Sequence, residues 1–202
     1  FYVKGLRIKN RLGLAAGLDK NARLINEFNN IGFGFLEVGT ITPKPQYGNP
    51  KPRIKRLVSY DSLLNSLGFP NDGVVSIKSR LKKVSDDICL GINIGPNKDT
   101  TTEEIKNDYL ACYKEVFEYA DYIAINISSP NTPNLRSLHN IESFKSVIET
   151  ILNERQKHKK QPKIFIKISP DEESGTYKNL IDTINNSAID GVIISNTSNN
   201  KN

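Results

Sequence analysis

Six short apolar runs recur along this chain, and each stops in small or polar residues before a helical pattern takes over. They are Leu12-Gly-Leu-Ala-Ala-Gly17, Gly32-Phe-Gly-Phe-Leu-Glu-Val-Gly-Thr40, Ile88-Cys-Leu-Gly-Ile-Asn-Ile-Gly95, Tyr122-Ile-Ala-Ile-Asn126, Lys163-Ile-Phe-Ile-Lys-Ile-Ser-Pro170 and Gly191-Val-Ile-Ile-Ser-Asn-Thr197. Runs this short and this continuously apolar read as strands buried on both faces, the condition of a parallel sheet covered by helices. The segments between them carry helical spacing: Leu24, Ile25, Phe28 and Ile31, then Val74, Ile77, Leu81 and Val84, then Ile105, Tyr109, Cys112 and Val116. Phe144, Val147, Ile148 and Ile151 repeat it, as do Tyr177, Leu180, Ile181 and Ile184. Thr101 and Glu104 have the spacing of a capping box, and the charged run from Arg155 to Lys160 reads as solvated surface.

Two architectures fit six consecutive βα units: an open doubly wound sheet and a (β/α)8 barrel. The barrel is favoured because polar residues recur at the C-terminal end of every strand, where barrels assemble their sites. Two further strands would be needed to close it, and the tail after Asn196 is polar, so residues 1–202 read as one partial TIM barrel domain. Between Ile41 and Asp72 a long segment with five prolines interrupts the alternation and reads as a binding loop or lid.

Composition removes several function classes. The net charge of +6 is spread along the chain, which leaves no nucleic-acid footprint. No run reaches the roughly 20 apolar residues of a membrane-spanning helix. Cys89 and Cys112 form no CxxC motif and have no histidine cluster beside them, so they read as buried thiols and not as metal ligands. His139 and His158 are the only histidines, and neither stands at a strand end where a Ser-His-Asp set would assemble.

The strand ends bring together Lys20, Thr40, Asn65, Asn93, Asn126, Ser129, Asn131, Lys167, Ser195, Asn196 and Thr197. Such a rim holds amines, carboxamides and hydroxyls and hardly any acid. It suits an electron-rich planar ligand with carbonyls and ring nitrogens, because Asn both donates and accepts and a lysine can stand beside developing negative charge. Lys167, between Ile166 and Ile168, must either face a solvated mouth or find a partner.

Four motifs, in this order, resemble the dihydroorotate dehydrogenase family: Ala15-Ala-Gly-Leu-Asp-Lys-Asn21, Glu37-Val-Gly-Thr-Ile-Thr-Pro-Lys-Pro-Gln46 with Gly48 to Arg53, Asn126-Ile-Ser-Ser-Pro-Asn-Thr132, and Ile166-Lys-Ile-Ser-Pro-Asp171. Asn65 to Phe69, Gly91 to Asp99 and Ile193 to Thr197 are similar too. The resemblance implies an FMN-containing barrel that oxidises (S)-dihydroorotate to orotate in pyrimidine biosynthesis. Serine at 129, where the soluble class has cysteine, implies the quinone-dependent class.

By that resemblance Ser129 is the base that takes the proton from C5 of dihydroorotate. FMN would be held by Ala16, Gly17, Lys20, Thr40, Asn93, Asn126, Lys167 and Ser195, with Lys167 opposite the negative charge of the reduced ring. Substrate would be held by Lys20, Asn65, Ser66, Leu67, Gly68, Phe69, Asn126, Asn131, Asn196 and Thr197. Arg56 would line the quinone entrance. The same resemblance implies peripheral membrane association through a helical module upstream of Phe1, at the mitochondrial inner membrane or, in a bacterium, the cytoplasmic membrane. Two other readings stay open: a Schiff-base aldolase-type barrel using Lys167, and an inactive truncated remnant.

Overall fold

The computed structural model describes residues 1–128 and 141–198. Its centre is a six-stranded sheet made of β3 (Gly13–Leu14), β4 (Phe35–Ile41), β7 (Leu90–Ile94), β8 (Tyr122–Asn126), β9 (Lys163–Ile168) and β10 (Gly191–Ile194), adjacent in that order. Every neighbouring pair is parallel. A doubly wound sheet reverses its strand order at a switch point. Here the order never reverses, so the curled sheet is that of a (β/α)8 barrel. A small antiparallel hairpin, β1 (Tyr2–Val3) with β2 (Leu6–Arg7), precedes it.

Helices α1 (Ile25–Ile31), α2 (Val74–Leu81), α3 (Ile105–Val116), α4 (Ile141–Gln156) and α5 (Ser174–Asn185) supply the crossovers. Residues of one strand parity, among them Leu36, Val38, Ile92, Ile123, Ile125, Ile164 and Ile166, pack outward against Ile77, Tyr109, Cys112, Phe144 and Ile151 of the helices. The thiols of Cys89 and Cys112 are buried and free. Burial, with Asp121 adding, pushes Cys89 up to about 12 and drives Cys112 well above its ordinary value.

The opposite parity faces the concave side, and its lowest level alternates glycine with aromatic rings. Gly13 lies beside Phe35, Gly91 beside Tyr122, and Gly191 beside Phe165 in the strand register. A Cβ built on Gly91 would come 2.0 Å from the Tyr122 ring, and one on Gly13 would come 2.2 Å from Phe35. The rings occupy the space that the glycines leave, and Tyr122 meets Phe165 edge-on at 5.3 Å between centroids.

Several local expectations change. The long loop contains an antiparallel hairpin, β5 (Ile54–Leu57) with β6 (Ser62–Asn65), whose paired backbones satisfy groups that a bare loop would leave open. Thr101 and Glu104 form no capping box: α3 begins at Ile105, and Glu104 instead accepts from the Asn107 side chain. In α1 only Ile25 is buried, while Ile31 is exposed, because six residues at 100° each carry Ile31 to the far side before Gly32 ends the helix at φ 107°. Arg155 is not solvated surface either, since its side chain is only 13% exposed and bonds Asp190 at 2.7 Å and the Ala188 carbonyl at 2.9 Å.

Two aspartates fasten adjacent strands at their N-terminal ends. Asp121, just before β8, accepts from the Leu90 amide of β7 at 2.7 Å. Asp190, just before β10, accepts from the Ile164 amide of β9 at 2.9 Å and from Lys163 and Arg155. Burial opposes the Asp190 charge, but the amide and the two cations outweigh it and hold the carboxyl below its ordinary range. Because the folded pKa is the lower one, the resulting stability is complete above the unfolded value near 4 and fades as pH falls through the folded value. Asp190→Ala is expected to cost about 2–3 kcal/mol at pH 7, with the gap to the parent protein narrowing below about pH 4. Denaturant melts at several pH values check this, and a gap constant with pH would refute it.

Candidate active site

The C-terminal ends of the strands enclose a cavity of about 130 Å³. Its walls come from separate crossovers: Ala16, Gly17 and Lys20 after β3, Thr40 on β4, Asn126 on β8, Lys167 on β9, and Asn196 with Thr197 after β10. Asn65, Leu67, Gly68 and Phe69 close it from the side. This last segment is held firmly. Buried Asn71 donates to Thr42 Oγ1 at 2.8 Å and to the Phe69 carbonyl at 2.9 Å, and it accepts from the Gly73 amide at 2.9 Å. Gly68 and Phe69 both take positive φ, 67° and 49°, which turns the chain back over the cavity.

Beneath the cavity the polar groups are buried and mutually bonded. Asn93 donates to Glu37 Oε1 at 2.9 Å, and Tyr122 donates its hydroxyl to Glu37 Oε2 at 3.1 Å. Lys167 Nζ stands 3.6 Å from Glu37 Oε1, with both side chains under one-tenth exposed. Thr40 donates to Asn93 Oδ1 at 2.7 Å, and Asn126 donates to Thr40 Oγ1 at 3.1 Å. Ser128 Oγ donates to Asn126 Oδ1 at 3.0 Å, and Asn196 Nδ2 donates to Ser128 Oγ at 3.0 Å. Lys20 reaches the Gly17 carbonyl. Burial, with the Arg53 charge adding, lowers its pKa.

Most residues expected on the rim therefore do converge, but not all on one surface. Asn93 lies below the cavity wall, fully buried. Ser195 lines a second, larger cavity of about 690 Å³ on the concave face, which shares Lys167 with the first. Ser66 is exposed and holds its segment through backbone bonds to Arg53 and Asn49. Arg56 is exposed on β5, away from either cavity. Ser129 and Asn131 lie outside the described residues.

Three participants were given no role in the sequence reading: Glu37, Ser128 and Tyr122. A signal existed for Glu37. It shares strand parity with Phe35 and Gly39, so a lone acid on one buried strand faced the same interior as Lys167, the buried one of the two lysines on another.

Parallel strands in chain order, with an amine- and carboxamide-rich cavity at their C-terminal ends, define a barrel domain of the class that assembles its site at that end. The dihydroorotate dehydrogenase family model matches residues 1–202, and the chain belongs to that family. It is 49% identical over 197 residues to a dihydroorotate dehydrogenase (quinone) of Cronobacter sakazakii and 50% identical to one of Klebsiella pneumoniae, in each case across 96% of this chain. The ligand-free dihydroorotate dehydrogenase of Eimeria tenella superposes with a TM-score of 0.94 at 37% identity, over 100% of this chain and 62% of that one. The chain spans 59% of the length of the two bacterial relatives.

Proposed function

We propose that the protein oxidises (S)-dihydroorotate to orotate with FMN as its bound cofactor and a quinone as final acceptor, in de novo pyrimidine biosynthesis. The observation that carries this is the convergence of Lys20, Asn126, Lys167 and Asn196 on one acid-poor cavity in a member of this family. The residues fit a flavin. A Cβ on Gly17 would meet nothing within 4 Å, so the backbone there leaves room for a ring, and Lys167 joins the small cavity to the larger one. FMN, when bound, supplies the two-electron acceptor.

The chain's own groups then divide the work. Lys167 sets a positive charge beside the accepting ring, and Thr40, Asn93 and Asn126 orient the carboxamide bonds around it. Asn65, Asn196 and Thr197, with Asn131, hold the substrate ring and its carboxylate. Ser129 takes the C5 proton, which requires a path that carries that proton away, because a serine hydroxyl is a weak base in water. Quinone access is assigned to the β5–β6 hairpin, which reaches the small cavity through Asn65 and carries Arg56 among exposed Ile54, Val58 and Leu63 further out. That apolar surface supports peripheral membrane association, at the mitochondrial inner membrane in a eukaryote or the cytoplasmic membrane in a bacterium. Among the described residues no helix is long and apolar enough to cross a membrane. The aldolase reading loses its support, since the Lys167 amine is engaged by a buried carboxylate and is not free to attack a carbonyl.

The test is direct. The purified protein should take up FMN, turn yellow and bleach when dihydroorotate is added without a quinone. A protein that stays colourless with added FMN would end the proposal. Lys167→Ala should weaken flavin binding by about tenfold to a hundredfold, the worth of one charge-assisted hydrogen bond. Flavin affinity unchanged in that variant would remove Lys167 from the site.

A further inference from the structure

We propose that Glu37 is the positioning residue of this site: it anchors Lys167 as its counter-ion and fixes the donor direction of the carboxamides above it. The inference rests on the flavin reading for its consequence, but its structural basis is independent of any ligand. Glu37 is 4% exposed in the middle of β4. A carboxylate buried there, among apolar strands, persists only if paired and hydrogen-bonded. Asn93, Tyr122 and Lys167 meet that need from three other strand positions.

Direction follows from chemistry. An ionised carboxylate can only accept. Asn93 must therefore turn Nδ2 toward Glu37, which leaves Oδ1 to receive the Thr40 hydroxyl at 2.7 Å. Thr40, its proton committed, can only accept from Asn126 Nδ2 at 3.1 Å. Asn126 then presents Oδ1 to the Ser128 hydroxyl at 3.0 Å, and Ser128 Oγ receives Asn196 Nδ2 at 3.0 Å. Every bond from Asn196 down to Glu37 runs donor to acceptor in one sense. With an amide in place of the acid, Asn93 could flip, and with it each amide above.

A carboxylate beside the lysine also tempers the positive charge that Lys167 offers a reduced flavin. Glu37→Gln keeps the shape and removes the charge. Two consequences are expected. In flavin-free protein, Lys167 loses its counter-ion, a buried ammonium without one favours the neutral amine, and labelling of Lys167 by trinitrobenzenesulfonate, mapped by mass spectrometry, rises about tenfold. In flavin-loaded protein, where the reduced ring would take Glu37's place as counter-ion and keep Lys167 protonated, the preference for reduced over oxidised FMN rises about tenfold, a midpoint potential about 30 mV more positive for a two-electron couple. That shift should vanish when Lys167→Gln is also present, as a double-mutant cycle requires of a residue acting through another.

Equal labelling in the parent and Glu37→Gln proteins overturns the inference, whatever the flavin does. A midpoint shift that persists without Lys167, or an unchanged potential in loaded Glu37→Gln, overturns it as well. If labelling responds but the parent protein binds no flavin, the flavin reading fails while the ion-pair assignment stands. Should Glu37→Gln not fold, Glu37→Asp keeps the charge one methylene further from Lys167, and labelling at the parent rate in that variant overturns the inference.

Discussion

Ser129→Ala should retain bound FMN and slow its bleaching by dihydroorotate by about 10²–10⁴-fold, the range that one positioned base contributes. Two adjacent serines follow β8 in the sequence, and the roles proposed for them separate. Ser128 is 4% exposed, with its amide and hydroxyl both bonded to Asn126 Oδ1, at 3.2 and 3.0 Å. A hydroxyl committed in that way holds the carboxamide and has no proton to exchange with substrate. Ser128→Ala should therefore loosen substrate or flavin binding through Asn126 and leave most of the bleaching rate in place. Ser129 is the residue proposed to carry the proton transfer. Stopped-flow absorbance under anaerobic conditions reads both effects, and bleaching that survives in Ser129→Ala at the parent rate would refute the base assignment.

Gly91→Ala should cost about 2–3 kcal/mol, at the upper end for adding one methyl group to a packed interior. The added Cβ would fall 2.0 Å from the Tyr122 ring, and that ring cannot step aside. Its hydroxyl is tied to Glu37 at 3.1 Å and its edge packs on Phe165. For a chain of this size such a loss lowers the melting temperature by roughly 4–12 °C. Burial, with Glu37 next in effect, holds the Tyr122 phenol well above its ordinary pKa, so the tie to Glu37 is a neutral donor throughout the accessible pH range. A melting temperature unchanged in Gly91→Ala would show that the floor of the interior yields more than its geometry implies. Tyr122→Phe, which keeps the ring but removes a hydrogen bond to a buried carboxylate, should cost about 1.5–3 kcal/mol.

The strands were legible because parallel, doubly covered strands have to be apolar throughout, and Ile92, Ile123, Ile125, Ile164 and Ile166 are. The helical stripes through Ile77, Tyr109, Cys112 and Phe144 followed from periodicity alone. The β5–β6 hairpin was not legible, since Ile54-Lys-Arg-Leu57 is exposed almost throughout and lacks the alternation that marks a half-buried strand. Arg155 was misread because a charged run looks solvated whichever of its members turns inward, and the Asp190 that recruits it lies 35 residues away. Lys20, Thr40, Asn65, Asn126, Lys167, Asn196 and Thr197 were placed around the cavity from their position near strand ends, but the acid beneath them was not. Local sequence cannot say that Glu37 and Lys167, 130 positions apart on β4 and β9, are pointed at one another.

The aspartate ties at the N-terminal ends of the strands bear on how this fold can change over time. Asp121 and Asp190 clasp neighbouring strands at the end opposite the small polar cavity, so the sheet's cohesion there does not draw on the residues that line that cavity. Mutations around the cavity can then be sampled against a frame whose seams stay closed. Loop substitutions near the cavity are then expected to leave this seam's contribution to stability unchanged, whereas loss of either aspartate removes it whatever the loops carry.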